Sequence, residues 1–226
     1  MNSQAVYIIV PAYNEEAVLR QTVQELLQKY EHIVVVDDGS IRSQSEVLTN
    51  LPIAILRHQQ NLGQGAALQT GTEYALKKGA TVLVHFDADG QHRVSDIEQL
   101  IEPVINNQAD IVFGSRFLVS ATRLPYRRKI LLHCARIVNF LFTGFLLTDA
   151  HNGLRAMNRK AAQLSAIREN RMAHASAILL SIKKYSLRFK EVPVVVIYNH
   201  YSLQKGQSGW NSIRILFDLL IYKLLK

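Results

Sequence analysis

Short apolar runs recur along the first half of the chain, separated by longer mixed stretches. Residues 5–10, 33–36, 53–56, 82–86 and 111–114 are largely apolar runs of four to six positions. Each reads as a β-strand buried on both faces. Residues 15–30 read as an amphipathic helix, and residues 65–78 and 94–106 as further helices. Strands alternating with helices predict a mostly parallel sheet covered by helices on both faces. A length of 226 residues suits one such α/β domain better than two. In open α/β sheets, ligands bind beyond the carboxyl ends of the strands.

Three predicted strand ends carry polar clusters. They are Pro11-Ala12-Tyr13-Asn14-Glu15, Asp37-Asp38-Gly39-Ser40 and Asp87-Ala88-Asp89. Alternate side chains of a strand point the same way, so Asp87 and Asp89 can converge on one cation, with Gln91 adding a third oxygen. Hard divalent cations such as Mg²⁺ take oxygen ligands and share them with substrate phosphates. Any one cluster could be a loop or a helix cap, Asp38 or Ser40 included. Capping does not account for three at one edge. Asn61-Leu62-Gly63-Gln64-Gly65-Ala66-Ala67 opens a helix with small residues that let backbone approach a ligand closely. A tight turn that packs the helix on the sheet explains that segment equally well. The first strand is not followed by GxGxxG, and the chain contains no GxxxxGK[ST].

Charge divides the chain. Residues 1–115 carry 7 Lys/Arg against 14 Asp/Glu, net −7, and residues 116–226 carry 19 against 4, net +15. The acidic half is suited to a metal and the basic half to anions: nucleic acid, lipid headgroups or phosphate substrates. A non-enzymatic nucleic-acid module is the weakest of these readings. It leaves the Asp pair unexplained, and no helix-turn-helix, RRM or zinc pattern is present. The single cysteine, Cys134, excludes an intrachain disulfide and fits a reducing compartment. The N-terminus shows no signal-peptide pattern. Residues 130–147 form an apolar stretch of spanning length. However, Lys129, His133, Arg136 and Thr143 recur along it with Asn139 nearby, which predicts an interfacial helix rather than a span. In residues 210–226, Asn211, Arg214, Asp218 and Tyr222 share one side of a final helix. That helix could rest on a bilayer, dock on a membrane partner, or pack in the core or an oligomer interface.

The motifs gain meaning as a set. Val10-Pro11-Ala12-Tyr13-Asn14-Glu15-Glu16, Val36-Asp37-Asp38-Gly39-Ser40, Asn61-Leu62-Gly63-Gln64-Gly65, Asp87-Ala88-Asp89-Gly90-Gln91 and Gly114-Ser115-Arg116 together resemble family 2 glycosyltransferases with a GT-A fold. Asp149-Ala150-His151-Asn152-Gly153-Leu154-Arg155 resembles the Asp-x-x-(Ser/Asn)-Gly-(Phe/Leu)-Arg segment of dolichyl- or polyprenyl-phosphate sugar synthases. The resemblance covers essentially the whole chain. It implies a single GT-A domain over 1–226, with the nucleotide sugar in 1–115 and the acceptor and membrane-facing half in 116–226. The implied reaction moves a sugar from a UDP- or GDP-linked donor to undecaprenyl or dolichyl phosphate, with inversion and with Mg²⁺ or Mn²⁺.

Carried over residue by residue, the resemblance puts Pro11, Ala12, Tyr13 and Glu15 in the nucleoside pocket. Asp37 would meet base or ribose, with Asp38, Gly65 and Ala88 in the same nucleotide-sugar site. Asp87 and Asp89 would hold nucleotide and metal, with Gln91 as a further ligand. Arg116, Arg127 and Arg128 would grip the acceptor phosphate, which guanidinium matches in geometry. Asp149 would orient the acceptor or act as base, or else be a turn carboxylate paired with Arg155. Asp89, Asp149 and Arg116 are thus the expected catalytic residues. Lys205-Gly206-Gln207-Ser208 resembles a mobile loop whose Lys205 and Ser208 bind phosphate. Two positions depart from the pattern. Gln64 stands where many relatives have Lys, and Ala177 where a Glu is common. If Ala177 replaces a catalytic Glu, the chain would bind substrates yet turn over slowly; His174 beside it lines the site or packs in the core. The implied localisation is cytoplasmic and peripheral, at the cytoplasmic membrane face. A separately supplied small membrane protein is an expected partner, nucleic acid is not, and homo-oligomerisation is left open. The alternative within the family is transfer to a glycan hydroxyl, which needs a stronger base.

Overall fold

The computed structural model describes residues 4–119, 137, 140, 144–149, 152–165 and 174–197, without the side chains of 174–177. The strands are β1 (Val6–Ala12), β2 (His32–Asp37), β3 (Ala54–Arg57), β4 (Val82–His85), β5 (Ile111–Ser115), β6 (Arg155–Asn158) and β7 (Phe189–Pro193). They form one sheet in the order β3-β2-β1-β4-β6-β5-β7. β1 pairs in parallel with β2 and β4, β2 with β3, and β5 with β7. β6 is antiparallel to both of its neighbours, β4 and β5. Six strands therefore run one way and β6 runs the other.

The helices are α1 (Leu19–Leu27), α2 (Gln44–Val47), α3 (Gln64–Lys77), α4 (Ile97–Ile105), α5 (Arg159–Leu164) and α6 (His174–Tyr185). Strand alternation sorts the core into two layers. Ile8, Val10, Ile33, Val35 and Val84 pack with α1 and α4 through Leu19, Val23, Leu26, Ile97 and Leu100. Tyr7, Ile9, Val34, Val36 and Leu83 pack on the other face with α3, α5 and α6 through Leu68, Ala162, Ile178 and Ile182. A sheet buried on both faces needs continuous apolar runs, which is why these strands read without alternation. Gly71 lets α3 settle against the sheet, because a Cβ there would overlap the Ile9 side chain.

All five strands expected from the sequence are present, and β6 and β7 add to them. β6 is Arg-Ala-Met-Asn, with polar ends and only two apolar residues, so its strand character comes from pairing between β4 and β5. The first helix is shorter than expected. Residues before Leu19 turn back on Glu15, whose carbonyl accepts from the Val18 and Leu19 N–H groups at 3.1 and 2.9 Å. The helix expected from residue 94 opens with a 3-10 turn, Val94–Asp96, before α4 begins. The interfacial helix expected over residues 130–147 lies mostly outside the described residues, and that over 210–226 wholly so. No helix among the described residues is long and apolar enough to cross a membrane.

One charged cluster ties β5, β6 and β7 together at the edge opposite their polar loops. Asp110 Oδ2 accepts from Arg188 N at 2.8 Å and Oδ1 from Arg188 Nη2 at 3.0 Å, while Asn158 Nδ2 donates to Oδ1 at 2.9 Å. Arg188 holds the Asp110 carboxyl at about 2. A lowered folded-state value gives stability that is complete above about pH 4 and lost as pH falls towards 2. Asp110→Asn should therefore lower the melting temperature at pH 7. Its deficit against wild type should narrow in melts below about pH 4. Because the Arg188 side chain is 51% exposed, screening keeps the effect modest.

Candidate functional site

The carboxyl ends of β1 and β2 are stitched into one corner. Asp38 N donates to Ala12 O at 2.9 Å, Asn14 N to Ser40 Oγ at 3.0 Å, and Ile41 N to Asn14 Oδ1 at 3.0 Å. Asn14 turns the chain at φ 53°, a conformation Asn tolerates better than most residues. Asp37 is fully buried. Its Oδ1 accepts from Ser40 N at 2.9 Å and its Oδ2 from Gln44 N at 3.0 Å, with Arg57 Nε 3.5 Å away. Asp38 accepts from Leu62 N at 3.0 Å and Gly63 N at 2.7 Å, and His58 Nδ1 lies 2.7 Å from its Oδ1. Both carboxylates, expected beside the nucleoside, accept from backbone amides and thus shape the loops of this corner. Asp38 fixes the turn that leads into α3 and the buried Gly65. Pro11 and Ala12 are buried, whereas Tyr13 presents a ring 44% exposed that a base could cover.

The second corner holds the carboxylate pair just past β4. Asp87 Oδ1 accepts from Gln64 Nε2 at 2.8 Å, and His92 Nε2 lies 3.5 Å from Oδ2. Gly153 closes on the same carboxylate, and a Cβ there would overlap it. Arg155 is buried alongside. Burial pulls its guanidinium down to about 10 while the Asp87 charge pushes the other way, so it stays cationic at neutral pH. Asp89 Oδ1 accepts from Gln91 N at 3.0 Å. Its carboxyl is raised to about 6, first by burial, then by the Asp87 charge, with Glu15 adding to the push and His92 opposing it. His92 is itself buried, edge-on to Phe86 at 5.9 Å. Ala88 is buried between the two acids, its carbonyl facing Thr22 Oγ1 at 3.5 Å.

This donor set fits a divalent cation that arrives with its substrate. Two neighbouring carboxylates resist joint ionisation, and a dication relieves that repulsion. Among the described residues no group of three His, Cys, Asp or Glu side chains forms a ready-made metal site. The remaining positions would go to phosphate oxygens and water, which is how Mg²⁺-type ions usually bind. Gln91, the expected third ligand, is a half-buried residue whose backbone N–H already meets Asp89.

The third corner joins β5 to the segment leading into β6. Asp149 is 3% exposed, and its Oδ2 accepts from Arg116 Nε at 2.6 Å and Arg116 N at 3.1 Å. Asp149 therefore pairs with Arg116, and the alternative pairing with Arg155 is replaced by the Arg155–Asp87 interaction. Asn152 Oδ1 accepts from Leu154 N at 3.0 Å, fixing the turn that presents Gly153. Sequence reasoning missed Glu191, whose Oε1 accepts from Thr148 N at 2.8 Å and Thr148 Oγ1 at 2.7 Å. It missed His92 as well, and it read Gln64 only as a departure. Nothing local marks Glu191, because the β5–β7 register alone sets it opposite Phe113. Arg127, Arg128, Lys205 and Ser208 lie outside the described residues, as do the side chains of His174 and Ala177.

Comparison with known proteins follows this geometry. The profile of the family described as Glycosyl transferase family 2 matches residues 7–164. The chain is 32% identical over 248 residues to the UDP-N-acetylglucosamine–dolichyl-phosphate N-acetylglucosaminyltransferase of Methanococcus voltae, covering 100% of this chain and 99% of that protein. It is 28% identical over 225 residues to the polyprenol monophosphomannose synthase of Mycolicibacterium smegmatis, covering 94% and 84%. In structure it is similar to glucosyl-3-phosphoglycerate synthase from Mycobacterium tuberculosis, solved with Mn²⁺, UDP and phosphoglyceric acid. The TM-score is 0.72 at 15% identity, over 96% of this chain and 78% of that one. That likeness shows the fold, the GT-A arrangement of a mixed, mostly parallel sheet between helical layers.

Two substitutions probe the carboxylate corner. Asp89→Asn removes a charge whose folded-state value is raised, so its stabilising effect should be largest above pH 6 and vanish below about pH 4. Melts of the metal-free protein at pH 8 should show a gain on the order of 1–3 kcal/mol. Gly153→Ala should turn the Asp87 carboxylate aside without unfolding the chain. Calorimetric Mn²⁺ titration with nucleotide present should then weaken by about 10- to 100-fold.

Proposed function

We propose that this chain, which belongs to glycosyl transferase family 2, moves a sugar from a nucleoside diphosphate sugar to a polyprenyl phosphate at a membrane surface, with inversion. The observation that carries the reading is the Asp87–Asp89 pair at the carboxyl edge of the sheet, with the Asp149–Arg116 pair on the same edge. Support for the acceptor class comes from the lipid-phosphate acceptors in the names of the Methanococcus and Mycolicibacterium relatives.

In this reading, Tyr13 covers the base, and the loops held by Asp37 and Asp38 wrap the nucleoside. Gln64 and Gly153 aim Asp87 at the diphosphate. A divalent ion, Mg²⁺ or Mn²⁺, held by Asp87 and Asp89 with Gln91, would offset charge on the departing diphosphate. One acceptor phosphate oxygen bonds to the sugar C1 on the face opposite the diphosphate. The C1–O bond to the diphosphate breaks, and its electron pair leaves on that oxygen. A phosphate monoester is already anionic near neutral pH, since its second pKa is about 6. It needs positioning more than deprotonation. Arg116, held by Asp149, supplies a cation at that position, and Asp149 acts by orientation, being nearly inaccessible. Arg127, Arg128, Lys205 and Ser208 would complete the anion site.

Attachment is proposed to be peripheral, at the cytoplasmic face, with a small membrane protein as partner. Exposed Leu118, Ile137, Phe140, Leu146 and Ile197 on the basic half support contact with an apolar phase.

The test incubates the protein with Mg²⁺ or Mn²⁺, undecaprenyl or dolichyl phosphate, and a panel of UDP- and GDP-sugars, beside Ala177→Glu. Lipid-linked sugar from either form, lost on Asp89→Ala, is the expected outcome. Transfer to a glycan hydroxyl with none to lipid phosphate would overturn the acceptor assignment.

A further inference from the structure

Only 4 of the chain's 18 acidic residues fall in 116–226, and two of them, Asp149 and Glu191, meet at the third corner. Among the described residues, Glu191 forms no ion pair there. Its Oε1 accepts from Thr148 N at 2.8 Å, Thr148 Oγ1 at 2.7 Å and Asp149 N at 3.2 Å, and its Oε2 lies 3.0 Å from Thr148 N. An ionised carboxylate facing several donors makes charge-assisted bonds, stronger than neutral ones. Thr148 Oγ1 also lies 2.6 Å from Ser115 Oγ, which accepts from Phe117 N at 3.3 Å. The carboxylate thus reaches Arg116 by two routes. One runs through the Asp149 backbone to the Asp149 carboxylate, which holds Arg116 N and Nε. The other runs through Thr148 to Ser115 and Phe117, the residues on either side of Arg116.

We infer that Glu191 is a positioning residue for acceptor phosphate binding, fixing Arg116 through Thr148 and Asp149; this rests on the lipid-phosphate reading above. Strand β7 carries it, and the parallel β5–β7 register sets Glu191 opposite Phe113, three residues before Arg116. The nucleotide corner, at β1 and β2, shares none of these bonds. The effect of removing Glu191 therefore falls on one substrate.

The experiment compares the full chain with Glu191→Ala and Glu191→Gln. A carboxamide oxygen can still accept from Thr148 and Asp149, so the Gln form is the conservative rescue. In Glu191→Ala, kcat/KM for polyprenyl phosphate should fall on the order of 10- to 100-fold, while KM for the nucleotide sugar stays within about twofold. The Gln form should recover most of that loss. Amide hydrogen exchange should quicken at Thr148, Asp149 and Arg116 in the Ala form, with the exchange of β1 and β2 unchanged. Unaltered Arg116 exchange with unaltered kinetics would overturn the assignment, as would an equal loss for both substrates. If wild type glycosylates no polyprenyl phosphate, the functional reading fails by itself. Arg116 exchange then decides the positioning role, upheld if quickened in Glu191→Ala and overturned if not.

Discussion

The reversed strand β6 is the constraint on which the site depends. Parallel strands deliver their carboxyl ends to one edge, and a loop reaches that edge by following a strand. β6 runs the other way, so the segment that precedes it arrives at the same edge. That reversal puts Gly153 against Asp87, which follows β4, and Asp149 against Arg116, which follows β5. Inserted between β4 and β5, one antiparallel strand joins two corners that an all-parallel sheet would leave to separate loops. The Asp110–Arg188–Asn158 cluster pins the far end of β6 to those of β5 and β7, so the reversed strand is fixed at both edges.

Charges at this edge are arranged for work more than for stability. Removing an ion pair from water costs desolvation that its attraction often fails to return. The fold nonetheless buries the Asp149–Arg116 pair and a whole guanidinium at Arg155. It also buries Asp89 beside a second carboxylate, and burial first and the Asp87 charge second raise it to about 6. Under the proposed function each feature makes sense: a dication would relieve the acids, and a phosphate would meet an Arg116 that Asp149 already holds in place. Before ligands arrive, the Arg155 guanidinium and the His92 ring lie beside Asp87, and Gln64 and Gln91 supply neutral donors to the pair. Pre-organisation of this kind stores part of the binding cost in the folded chain.

Much of this was legible in the sequence because its causes are local. A strand buried on both faces must be apolar throughout, so the five parallel strands were readable from composition alone. The polar residues directly after them could be assigned to the carboxyl edge without coordinates. β6 escaped because four residues with polar ends carry no periodic signal, and its partners lie about 70 and 40 residues away. Glu191 escaped for the same reason, its importance being a matter of register between β5 and β7. Asp37 and Asp38 lie at the end of β2, where the sequence puts them, but only the fold reveals that backbone amides occupy their oxygens. The sequence offered Arg155, six residues on, as the partner of Asp149, whereas the fold supplies Arg116 from the end of β5.

Gln64 draws these strands together. The resemblance leads one to expect Lys at the head of α3, and its absence reads from sequence as a lost phosphate contact. In the fold that side chain reaches Asp87 Oδ1 instead. An ammonium there would neutralise much of the Asp87 charge and so weaken the repulsion that raises Asp89. A carboxamide orients Asp87 equally well through one hydrogen bond but leaves its charge in place. The pair then stays more negative, and its attraction for a dication is greater than a Lys would permit. Under the proposed function, the departure would move the burden of offsetting the diphosphate from a fixed side chain to the metal. A chain built this way should depend on its cation more heavily than relatives that carry the lysine.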